Sequence, residues 1–204
     1  MGIFEKLSSI KISISLGDIF VIAGIVTLIL IFIKFIFKNI KKKFTPKKVT
    51  ISLMNIVNME IESNRTTSIL AHKAWVELST RKAGILFDEK NDVIVDIYDS
   101  WYELFKQLRE ILKSVEPSKN SDVNKLTSII IEVLNDGLRM HLTKWQAKFR
   151  SWYGSQLDDI KNVEPQILQK KYKYYDDLID DLRKTNEILI ALTRELDKVR
   201  KGGE

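Results

Sequence analysis

Residues 94–115 read IVDIYDSWYELFKQLREILKSV. Ile94, Ile97, Tyr98, Trp101, Phe105, Leu108, Leu112 and Val115 recur three or four positions apart, so they line one face of an α-helix. Asp92, Asp96, Asp99, Glu103, Lys106, Glu110 and Lys113 fall on the other face, acids first and bases later, as the helix dipole favours. Asn91 or Asp92 is placed to cap this helix and Pro117 to end it. A helix with one apolar face has to bury that face against other elements, so the neighbouring stretches decide the fold.

The same period runs both ways from it. On the N-terminal side, Leu53, Ile56, Val57 and Ile61, then Leu70, Ala74, Trp75 and Leu78, predict helix from about residue 50 to 83. A break is expected near Ser63 to Thr67, and Gly84 is the expected stop. On the C-terminal side a third helix is expected from a cap at Ser121 or Asp122 to Gly154, with a stripe running from Leu126 through Leu138, Leu142, Trp145 and Phe149 to Trp152. A fourth is expected from Pro165 to Gly202, its face carried by Tyr172, Tyr175, Leu178, Leu182, Leu189, Leu192, Leu196 and Val199. The expected fold is therefore all-α, an up-and-down bundle of about four long helices. The fourth is long enough to extend past the core or to pair with another chain as a coiled coil, with Leu192 and Leu196 on the face that would pair.

Ahead of the bundle stand residues 19–37, IFVIAGIVTLILIFIKFIF, with no charge from Ile19 to Ile33. The reading is a single N-terminal transmembrane helix over 19–38, preceded by a short segment 1–18, followed by a basic linker 39–48 and then the bundle 49–204. The basic balance of the chain, +6 overall, belongs to its beginning. Residues 1–48 carry nine lysines against Glu5 and Asp18, whereas 49–204 carry 24 Lys and Arg against 25 Asp and Glu. The expected partners are thus a lipid bilayer through residues 19–37 and anionic headgroups through Lys38, Lys41, Lys42, Lys43, Lys47 and Lys48. The lysine bias predicts a single-pass protein with its C-terminal domain in the cytoplasm. A specific nucleic-acid surface is not expected, and a protein partner or homo-oligomer is.

Catalytic motifs are absent from the sequence. There is no cysteine, no Gly-rich phosphate loop and no His-Glu-x-x-His pattern, and the two histidines, His72 and His141, read as packed or surface residues. Asp176, Asp177, Asp180 and Asp181 include pairs four apart that could share a hard cation, but they read as a solvated face, as do Asp158 and Asp159. Lys144, Lys148 and Arg150 stand among Trp145, Phe149, Trp152 and Tyr153, and these aromatics read as core with the bases at its rim. No catalytic, cofactor-binding or metal-binding residue is assigned, no cofactor is expected, and the chain is not read as an enzyme. The functional expectation is a membrane-anchored helical interaction or scaffold subunit. The alternative is an oligomerising membrane effector that perturbs or permeabilises the bilayer.

Overall fold

A computed structural model describes residues 16–41, 47–53, 57–116, 119, 121–157 and 163–202. The chain divides into two compact units, Met1–Thr45 and Pro46–Glu204. In the first, α1 spans Leu16–Lys41. Its charge-free run, Ile19 to Ile33, rises only about 22 Å, short of the roughly 30 Å hydrocarbon core of a bilayer, and Lys34 closes it. Among the described residues, no helix is long and apolar enough to cross a membrane. That finding overturns the transmembrane helix over 19–38, the bilayer and headgroup partners, the single-pass topology and both membrane-based functions. Lys42 and Lys43 lie outside the described residues, while Lys47 and Lys48 open a β-strand.

The second unit begins with a hairpin where a helix was expected. Strands β1 (Lys47–Leu53) and β2 (Val57–Ser63) pair antiparallel, with Val49 opposite Ile61 and Ile51 opposite Met59. Val49, Ile51 and Leu53 alternate with Thr50 and Ser52, so the buried side chains repeat every second residue, as a strand with one face in the core requires. Asn64 then starts α2 (Arg65–Ser79). Its side chain accepts from the Thr66 and Thr67 amides while the Thr67 hydroxyl accepts from the Asn64 N–H, a reciprocal cap. The stretch 63–67, expected as a break, is this cap.

A 3₁₀ turn, Lys82–Gly84, leads toward α3 (Ile94–Lys113). A side chain at Gly84 would bring its Cβ within 2.5 Å of the Leu78 carbonyl oxygen, so this close crossing requires glycine. The next stretch is one unbroken helical run: α4 (Ser121–Glu132), a π-helical segment (Val133–Arg139) and α5 (Met140–Leu157). The expected fourth helix is two, the short α6 (Pro165–Gln169) and the long α7 (Tyr175–Lys201), closed by Gly202 at φ 78°. The domain is therefore a bundle of six helices, α2 to α7, carrying a two-stranded hairpin, among the described residues.

Two serines tie the beginning of this unit to its end. Ser63 Oγ donates to the Val199 carbonyl, which also accepts the Gly202 N–H at 3.2 Å, and Ser68 Oγ donates to the Arg200 carbonyl, both serine bonds being 2.7 Å, so the last turn of α7 gains donors from the start of the domain. Leu189, Leu192, Leu196 and Val199 are completely buried in the same chain. The stripe expected to form a coiled coil with a second chain is thus used internally. Trp101, Tyr98 and Phe149 are the largest fully buried side chains, placing the aromatic half of the core where α3 meets α5.

A candidate interaction groove between α3 and α5

The face of α3 divides differently from the sequence stripe. Leu104 and Leu108 are fully buried, whereas Phe105 is only half-buried and Tyr102 is 54 % exposed. On the facing run, the buried places belong to Leu138 in the π segment and to His141, Trp145, Phe149 and Tyr153 past it, leaving Leu142 at the edge. Tyr102 and Phe105 from α3, Arg139 from the π segment and Leu142, Gln146 and Ala147 from α5 enclose a recess of about 380 Å³.

Its rim is basic. The Arg139 guanidinium lies 5.2 Å from the Phe105 ring centre and that of Arg109 lies 5.9 Å from the same ring. Lys106 stands 5.9 Å from the Tyr102 ring. Two acids of this helix stand nearby: Glu103 accepts from Lys106 and Gln107, and Glu110 pairs with Lys113 while also feeling the charge of Arg109. Hydrogen bonding to Lys106, then to Gln107, holds the Glu103 carboxyl below its ordinary range. Arg109 and Arg139 form no ion pair within 4 Å among the described residues.

A second constellation joins α5 to α7. His141 Nδ1 and Asp181 Oδ2 are 2.8 Å apart, and Trp145 Nε1 donates to the same carboxylate oxygen at 2.9 Å. Lys144 reaches the other oxygen at 3.5 Å. Burial pushes the His141 pKa down, against the opposing pull of Asp181, so the ring is held neutral with its Nδ1–H donating to the carboxylate. Burial would raise Asp181, but hydrogen bonds from His141 and Trp145 and the neighbouring positive charge carry its pKa below the usual range. The remaining nitrogen, His141 Nε2, is buried without a partner against the Tyr98 and Trp101 rings, whose centres lie 5.7 and 5.5 Å from the imidazole. A histidine acting as general base has to reach a substrate proton, and this nitrogen faces core. The pair therefore serves to lock α5 to α7.

The aspartates read together from the sequence are separated by the fold. Asp176, Asp177 and Asp180 are exposed, Asp181 turns toward α5, and Asp158 and Asp159 lie outside the described residues. Among the described residues no group of three or more ligating side chains is arranged to hold a metal ion. Trp145, Phe149 and Tyr153 are buried, and Trp152 packs 5.0 Å from the Tyr172 ring, while Arg150 reaches Asp99 on α3. His72 stacks on Trp75 at the exposed side of α2. Sequence reasoning missed the groove because Arg139 comes to Phe105 from a distant part of the chain, and no local spacing announces that meeting.

Comparisons with protein-family models, with curated proteins and with solved structures return no match to this chain.

Proposed function

We propose that the Pro46–Glu204 domain is a protein-interaction module that works by binding and not by catalysis, and that it receives a partner segment in the groove between α3 and α5. One observation carries this reading. Tyr102, Phe105 and Leu142 form a concave apolar surface next to two arginines, and tyrosine and arginine are the residue types that concentrate binding energy at protein interfaces. The rest of the bundle gives this surface a stable frame, since Leu104, Leu108, Trp101 and Phe149 beneath it are fully buried.

The reading is tested by placing a photo-crosslinking amino acid at Tyr102 and at Gln146 of the full chain in its own cells, with Ile131 as an exposed position outside the groove. Adducts to the same protein at Tyr102 and Gln146, and not at Ile131, are expected. That protein, once purified, should bind the unmodified chain and lose affinity for Tyr102→Ala. Adducts that form equally at Ile131, or only there, would contradict the assignment.

A further inference from the structure

Resting on that reading, we infer that the segment received by the groove is acidic: a peptide stretch that seats carboxylates on Arg109 and Arg139 and an apolar side chain in the recess beside Phe105. Both guanidinium carbons lie within 6 Å of one ring centre, so the two charges stand no more than about 11 Å apart across the ring. Arg109 and Arg139 are both exposed, and neither forms an ion pair within 4 Å among the described residues, so their N–H groups stand open to a partner from solution. A carboxylate arriving from outside gives these guanidinium groups the ion-pair partner they lack. A guanidinium stacked on an aromatic face keeps its N–H edge free, which is the edge that grips a carboxylate in a two-pronged hydrogen bond. The apolar part of the lining, Phe105, Leu142 and Ala147, supplies the other half of the recognition by receiving an apolar side chain, with Tyr102, Thr143 and Gln146 bringing polar atoms beside it.

The wider charge pattern favours an acidic peptide over a nucleic acid. From residue 49 onward the chain is balanced, 24 basic residues to 25 acidic, so the positive rim is local. A phosphate backbone needs a continuous basic track that displaces many counterions. A short acidic segment needs only the two arginines.

The probe is a fluorescein-labelled peptide of about fourteen residues, leucine and glutamate in amphipathic helical spacing, with a counterpart in which every glutamate is lysine. Anisotropy is read with the full chain. The acidic peptide should bind about tenfold or more tightly than the basic one. Arg139→Glu and Arg109→Glu should each weaken it several-fold while circular dichroism stays unchanged, and rising salt should erode the difference. Tyr102→Ala should weaken both peptides. Equal binding of the two peptides, both weakened by Tyr102→Ala, would overturn the acidic preference and leave the groove as a docking site. Acidic binding indifferent to Arg139→Glu and to Tyr102→Ala would overturn both. Absence of acidic-peptide binding, or tighter binding of a single-stranded oligothymidylate, would overturn the acidic-peptide inference, with the crosslinks above deciding separately on the groove.

Discussion

Gln169, a fully buried residue of α6, caps a helix far away from it in sequence. Its Oε1 accepts the Ile94 N–H at 2.9 Å, while its Nε2 donates to the Asp92 carbonyl at 3.0 Å. The first turn of α3 has no side-chain cap of its own, since Val93 stands at that place. One glutamine therefore satisfies a donor and an acceptor that would otherwise be buried without partners. Substituting Gln169→Leu should cost about 2–3 kcal/mol, a loss larger than for an exposed cap because both backbone groups stay buried. Thermal melts of the full chain check this, and an unchanged midpoint would remove the glutamine from the framework that positions α3.

Gly84 predicts a different kind of loss. With a Cβ placed 2.5 Å from the Leu78 carbonyl oxygen, Gly84→Ala should destabilise by about 1–3 kcal/mol through backbone displacement. The same change at Gly154, where nothing lies within 4 Å, should be neutral or slightly stabilising because alanine favours helix. Comparing the two melting midpoints separates steric contact from propensity.

Leu192→Glu or Leu196→Glu should unfold the domain. Both leucines are completely buried, and an unpaired carboxylate there has no solvent to turn to, a cost of several kcal/mol. Circular dichroism should show lost cooperativity. A folded protein that merely changed its oligomeric state would return these residues to the surface that the sequence stripe suggested.

How much of this was legible in the sequence varies with how locally each feature is determined. The helical stripe of 94–115 is written in consecutive residues, and Trp101 lies buried on it. The hairpin also left a trace, for Val49, Ile51 and Leu53 alternate with polar residues. Counting instead from Leu53 to Ile56, Val57 and Ile61 gives helical spacing, and a short β-branched run satisfies both periods. At 19–37 an apolar run, free of charge from Ile19 to Ile33, suggested a membrane span that no described helix provides. Gln169 capping Ile94, Asn186 accepting from the Phe87 amide, and Arg139 over Phe105 are meetings of distant segments with no local pattern. Asp181 shows the same lesson within one cluster, since it looks like its exposed neighbours until α5 is laid beside it.

The His141–Asp181 pair predicts acid sensitivity. His141 has its folded pKa depressed by burial, so the unfolded chain binds the proton more readily. Stability is then complete above the unfolded value of about 6.5 and declines as pH falls below it. Asp181, also depressed, adds a further loss at more acidic pH, below about 3.9. The chain has only one other histidine, the exposed His72, so the decline between pH 6.5 and 5 should flatten in His141→Asn, whose amide can still donate toward Asp181. Denaturant midpoints measured across that range provide the check, and an equal slope in wild type and variant would refute the assignment.

The claim that a partner docks between α3 and α5 is tested most directly by hydrogen exchange of the full chain with and without the acidic leucine–glutamate peptide. Slowed exchange is expected in the segments 102–109 and 139–147, whose side chains enclose the recess, and that protection should disappear in Arg139→Glu. Protection confined to other segments, such as the exposed turn of α7 that carries Asp176 and Asp180, would contradict the account.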